Sequence, residues 1–94
     1  MGTNPRLRPQ RLAEKLLQIR TALGLSQTEM LYRLGVEDLI SYKQISKYET
    51  GKGEPMLVIL LRYARVAGVS MDVLVDDELD LPSLSKNRTA KKKR

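Results

Sequence analysis

A chain of 94 residues with 41% hydrophobic residues and a net charge of +6 has room for one modest core, which must be aliphatic because Phe and Trp are absent. The lack of Cys and His excludes disulfides, thiolate chemistry and nearly every structural zinc site, and removes the commonest general acid–base residue. The start, "MGTNPRLRPQR", lacks the apolar stretch of a signal peptide, Arg6 stands where a myristoylation site needs Ser or Thr, and no apolar run reaches membrane-spanning length. With nothing arguing for export, the expected location is the cytoplasm, where the "NRT" sequon at Asn87 has no meaning.

In chain order, residues 1–8 form a basic arm without apolar periodicity, expected to be flexible. Pro9 suits the first turn of a helix, and Leu12, Leu16, Ile19 and Leu23 recur on one helical face up to a stop at Gly24. Ser26 and Glu29 have the spacing of a capping box that opens a second helix. Met30, Leu31 and Leu34 are its apolar side, and Gly35 ends it. "VEDLI" reads as a connection with Leu39 and Ile40 turned inward. Ser41 and Gln44 repeat the capping-box spacing before a third helix that runs to about Thr50 and stops at Gly51. After Pro55, the residues Leu57, Leu60, Leu61, Ala64 and Ala67, broadened by Met56, Ile59 and Val66, predict a buried fourth helix closed by Gly68. Ser70 caps a short fifth helix containing Met71, Val73, Leu74 and Val75. From Pro82 onward the chain is polar and expected to be disordered. The predicted architecture is all-α: a compact five-helix domain over 9–78 between the arm 1–8 and a basic tail 79–94.

Charge is unevenly spread. Residues 86–94 hold six bases and no acid, whereas 71–80 hold five acids and no base. A basic body of this kind is the footprint expected of a polyanion binder, although a solubilised surface would look similar. The stretch "SYKQISKYETGKGEP" sets Tyr42, Lys43, Gln44, Ser46 and Lys47 along the outward side of one short helix. Two short helices joined by a turn, the second rich in exposed donors, describe a helix-turn-helix, whose second helix enters the DNA major groove.

The segments "GLSQ", "EMLYRLG", "ISKYETGKGEP" and "LLRYARVAGVSMDVL", in this order over about residues 11–77, resemble the phage-repressor-like helix-turn-helix family of the Cro/cI, xenobiotic-response-element type. The resemblance implies the lambda-repressor-like five-helix fold and a transcriptional regulator, in the first instance a repressor, that binds double-stranded DNA sequence-specifically. It assigns Gln27 to a DNA phosphate, Tyr42, Lys43 and Gln44 to base reading, Ser46 and Lys47 to the groove side one turn on, and Thr50 and Lys52 to backbone phosphates. Arg20 and Glu49 align with a partly buried ion pair, and Ile45 with the inward pin of the reading helix. The chain departs from the family by about four extra residues between Gly35 and Ile45; the cap at Ser41 suggests that they precede the reading helix, and if they instead lengthen the second or third helix, the reading residues shift, Tyr42 first.

Each assignment has a plainer alternative: Tyr42 lying over the loop, Lys43 and Lys47 as solvated lysines, Gln44 spent on its own cap, Ser46 as a neutral helix residue. Gln27 would otherwise be an ordinary first-turn residue, and Thr50 and Lys52 turn chemistry. Arg6 and Arg8 would seek a groove or belong to a loose terminus. The acidic segment Asp76–Asp80 would repel DNA and is expected on another face, at a dimer seam or a partner protein. That last point sustains a second reading, an antitoxin or protein-interaction module on the same fold; a third is an architectural binder without base readout. Enzymatic readings fail: "ETGKGEP" is not a nucleotide phosphate loop, no His activates Ser26, Ser41 or Ser46, and "DDELD" lacks calcium-loop spacing. No cofactor and no membrane are expected; the expected partners are double-stranded DNA and a second copy of the chain, which would read half-sites about 34 Å apart.

Overall fold

The computed structural model describes residues 8–84; Arg6, most of the arm and the tail from 85 onward lie outside the described residues. Five helices follow one another: α1 (Leu12–Leu23), α2 (Gln27–Leu34), α3 (Tyr42–Glu49), α4 (Leu57–Ala67) and α5 (Met71–Val75). No strand occurs among the described residues, and none of their helices is long and apolar enough to cross a membrane. The all-α expectation and all five helix positions are met.

Local signals explain most boundaries. Ser26 Oγ accepts from the Glu29 amide at 3.0 Å while Glu29 Oε1 accepts from the Ser26 amide at 2.7 Å, so the first capping box forms in full. α1, α2 and α4 each end on a left-handed glycine. In all three, the amide of the residue after it (Leu25, Val36 or Val69) reaches back to the last turn, and that residue's apolar side chain packs on the core. At Gly35 the constraint is double. Its φ is +73°, and an added Cβ would sit 2.9 Å from Arg62 Nη1, which donates to the Leu34 carbonyl at 2.9 Å.

The core is one cluster. Leu12, Leu16, Ile19 and Leu23 of α1 meet Met30, Leu31 and Leu34 of α2, Ile45 and Tyr48 of α3, Ile59, Leu60, Tyr63, Ala64 and Ala67 of α4, and Leu74 of α5. α3 packs on α1 and α2, while α5 packs on α1 and α4. Burial of Tyr63 is complete and leaves its hydroxyl with no hydrogen-bond partner among the described residues. Burial, and secondarily the nearby Glu49 charge, holds this phenol protonated well beyond the ordinary range.

Several expectations are corrected. α1 begins at Leu12, so Pro9 is outside its first turn. The reason is remote: Asp77 Oδ2 and Oδ1 accept from the amides of Gln10 and Arg11 at 2.9 and 3.0 Å and cap the helix from 66 residues away. Ser41 Oγ accepts from the Lys43 amide at 3.2 Å, and the second capping box does not form. Ser70 makes no side-chain cap bond. Leu39, Met56 and Leu57 are exposed instead of buried, at 67%, 62% and 73%. Leu81 and Leu84, beyond α5, also lie partly buried against the core.

Lys15 is the largest surprise. Set among the apolar positions of α1, it is fully buried, and its Nζ donates to the carbonyls of Val73 and Asp76 at 2.8 and 2.9 Å. A cation at the C-terminal end of α5 satisfies carbonyls the short helix leaves over. Arg11 adds bonds from Nη1 to the Asp77 carbonyl at 2.8 Å and from Nη2 to Asp80 at 2.7 Å. The acidic segment therefore straps the end of the fold onto α1.

Two outcomes are expected. The two amide bonds hold the Asp77 carboxyl below the ordinary carboxylate range. Its stabilisation is then complete above the unfolded-state pKa and is lost as pH falls through the lower folded-state value. Asp77→Asn should lower the melting temperature at neutral pH, by a margin that vanishes in strong acid; an ordinary titration midpoint for Asp77 by NMR would contradict this. Tyr63→Phe removes an unpartnered buried hydroxyl and should leave stability equal or raise it by about 1 kcal/mol in thermal melts.

Candidate nucleic-acid interface

The outward residues of α3 are set by which of its residues must face in. Ile45, Tyr48 and Glu49 are buried, which turns Tyr42, Lys43 and Lys47 to solvent and leaves Gln44 and Ser46 half-buried. The seven residues 35–41 hold the whole connection from α2, and α3 has eight residues. Eight residues give a rod about 12 Å long.

One carboxylate orients this rod. Arg20 Nε donates to Glu49 Oε2 at 2.7 Å and Arg20 Nη2 to Glu49 Oε1 at 3.0 Å, a two-pronged pair linking α1 to α3. Arg20 Nη1 also donates to the Leu25 carbonyl at 2.9 Å, and the Gln27 amide reaches Glu49 Oε1 at 3.3 Å. The hydrogen bonds to Glu49 raise the Arg20 pKa against the opposing effect of burial. The result for charge is direct: the only acid of α3 is buried and paired, and its exposed charged side chains are the lysines Lys43 and Lys47.

The expected site residues fall into two groups at the two ends of α3. Tyr42, 48% exposed, and Lys43 stand at its N-terminal end. Lys47, Thr50 and Lys52 stand at its C-terminal end, and Gln27 joins them through Glu49. The capping box of α2 leaves the Gln27 and Thr28 amides directed out of that helix's N-terminus.

Two side chains are placed differently from a free reading surface. The Gln44 side chain turns back along the helix: its Nε2 lies 3.3 Å from where a Gly53 Cβ would be, on the side of the Tyr48 phenol, whose pKa burial raises. Thr50 donates its hydroxyl to the Ser46 and Lys47 carbonyls at 3.0 and 3.3 Å, which leaves that oxygen only as an acceptor. The amides of Lys52 and Gly53 are likewise used, both on the Lys47 carbonyl at 2.9 and 3.2 Å. Gly53 is the residue the sequence reading passed over; the "GKG" spacing that lets the turn pass beneath Gln44 was its only signal.

A helix-turn-helix family model matches residues 16–74, which takes in α2, the turn and α3 together with most of the core. The chain belongs to the helix-turn-helix family of the Cro/cI type. This is a DNA-binding, non-enzymatic family, in line with the lack of any catalytic constellation in the sequence. Among its relatives is the SPbeta prophage-derived uncharacterized HTH-type transcriptional regulator YonR of Bacillus subtilis (strain 168), 40% identical over 62 residues, or 66% of this chain and 54% of the relative. The match thus spans about half the length of that relative. No solved structure matches the chain.

Because Glu49 serves Arg20 and Gln27 together, Glu49→Ala should cost about 1–3 kcal/mol by leaving the partly buried guanidinium without its partner. Chemical denaturation would measure it, and a loss below about 1 kcal/mol would show that the pair does not hold α3.

Proposed function

We propose that this chain is a sequence-specific double-stranded DNA-binding transcriptional regulator, a repressor in the first instance, that inserts α3 into the major groove. The observation that carries this reading is the outward surface of α3: charged side chains of one sign only, on a helix whose lone acid is internally neutralised. Tyr42 and Lys43 at the entering end read base edges, with Ser46 and Lys47 one turn on. Lys43 suits guanine O6 and N7, while a lysine that misses a base still neutralises phosphate. Gln27 and the first amides of α2 take a phosphate at the positive end of the helix dipole. Lys52 supplies a second phosphate contact.

Gln44 and Thr50 contribute under a condition. Gln44 reaches adenine only if it leaves Tyr48, and Thr50 reaches a phosphate as donor only if its hydroxyl leaves the Ser46 and Lys47 carbonyls. The Thr50 exchange sets a new hydrogen bond against an existing one and Gln44 must give up its place beside Tyr48, so these residues add less affinity than Lys43 or Lys47. The functional unit is a homodimer reading two half-sites about one helical turn apart, with the cytoplasm as the working compartment. The antitoxin or protein-interaction alternative places a partner on the acidic segment 76–80, where Asp77 and Asp80 already bond Gln10 and Arg11 just ahead of α1.

Selection of duplexes from genomic fragments, followed by titration of the best duplex against a scrambled one, tests the reading. Lys43→Ala and Lys47→Ala should each weaken the selected duplex by about 1–3 kcal/mol. Loss of a base contact narrows the gap to the scrambled duplex, whereas loss of a phosphate contact weakens both equally and lowers the salt slope by about one. Equal binding of wild type to both duplexes would replace base readout with charge-driven binding, and no binding would end the DNA reading.

A further inference from the structure

The start of α4 breaks the rule the rest of the core obeys. Met56, Leu57 and Val58 are exposed at 62%, 73% and 44%, and half-buried Leu61 extends them by one turn. At helical spacing, Leu57, Leu61 and Arg65 form one row and Val58, Arg62 and Arg65 another, so the apolar face runs into two arginines. Single exposed apolar residues are ordinary, but a contiguous apolar stretch points to a contact surface.

A second exposed apolar side chain sits close by in the fold. Leu39, 67% exposed, occupies the connection 35–41, where Val36 O accepts from the Leu39 and Ile40 amides at 2.9 and 3.1 Å. Exposed Glu37 and Asp38 precede it. Arg62 fastens the start of this connection to α4 through its bond to the Leu34 carbonyl at 2.9 Å. The connection thus presents an apolar tip with two acids and no base, and α4 presents an apolar row with two bases and no acid. Among the described residues, Glu37, Asp38 and Arg65 take part in no ion pair.

We propose that these two surfaces are the two halves of one two-fold seam: the 35–41 connection of one copy lies on the Met56–Leu61 face of a second copy, and the reverse. A self-complementary contact needs both halves on the same chain, and here they match in apolar character and in opposite charge. Leu39 covers Leu57 and Leu61, and Asp38 meets Arg65 at the rim. The extra residues before Ser41 gain a purpose, because the seam that holds the copies together leads directly into the cap of α3 and so fixes the distance between the two reading helices. The inference deepens the dimer part of the reading above and rests on it for that last consequence. The seam itself can be tested without DNA.

Sedimentation equilibrium of the full chain over a wide concentration range is the experiment, with circular dichroism to establish that each variant folds. Wild type should move from monomer toward dimer. Leu57→Glu should weaken the dimer at least about tenfold by burying a charge at the centre of the seam. Asp38→Arg should weaken it, and adding Arg65→Asp should restore it, which a merely structural role would not do. A duplex carrying one half-site should bind Leu57→Glu as well as wild type. Wild type that stays monomeric at the highest concentration, a folded Leu57→Glu that dimerises like wild type, or a charge swap without rescue would overturn the seam. Failure of every variant and of wild type to bind DNA would overturn the DNA reading alone and leave the sedimentation result standing.

Discussion

The Glu49 carboxylate is the point on which the arrangement of the first three helices turns. It belongs to α3, takes two bonds from Arg20 of α1 and receives the amide of Gln27 at the start of α2. A helix of eight residues has little to hold its own direction, and the apolar contacts of Ile45 and Tyr48 alone leave some freedom of rotation about the helix axis. The paired carboxylate removes that freedom. A desolvated ion pair adds little net stability compared with an apolar contact of the same size, but it permits only one geometry. Rotation of α3 by one residue would bury Lys43 or Lys47 and strand Glu49 in solvent away from Arg20. The pair therefore links packing to function: it neutralises the only acid of the helix and keeps the lysines outward.

The far end of the molecule is closed by a different device. α5 has only five residues and no side-chain cap, and α1 starts without one. Each would fray alone. They cure each other's defect: Asp77 takes the orphan amides at the start of α1, and Lys15 of α1 takes the Val73 and Asp76 carbonyls at the end of α5. An acidic run that looked like an external surface is thus bound up in closing the fold. The lysine was hidden for a related reason. A residue with a long apolar stem and a cationic tip breaks the hydrophobic pattern in sequence yet fills a core position when carbonyls wait at its end.

How much of this could be read beforehand follows from the range of the interactions. The helix stops at Gly24, Gly35 and Gly68 and the cap at Ser26 depend on bonds within a few residues, and they were legible. The Ser41–Gln44 box was not, because the Gln44 side chain had a competing place against Tyr48 and beneath the turn at Gly53, which no local pattern encodes. Leu39, Met56 and Leu57 were assigned to the interior on hydrophobicity alone. Periodicity identifies an apolar face but not whether a neighbour covers it, and α4 has more apolar circumference than the other helices can bury.

By itself, the amino-acid sequence determined an all-α chain of five short helices, their order, most of their ends, the lysine-bearing helix and its membership of the helix-turn-helix class, since all of these rest on spacing, caps and motif order. Only the tertiary structure decided that Asp77 caps α1, that Lys15 lies in the core, that Gln44 turns back toward Tyr48 and Gly53, that the Thr50 hydroxyl is already bonded and that the start of α4 stays bare. Each of those depends on which groups separated by many residues come to lie within about 3 Å of one another, and hydrogen bonding and burial act at that distance regardless of position along the chain.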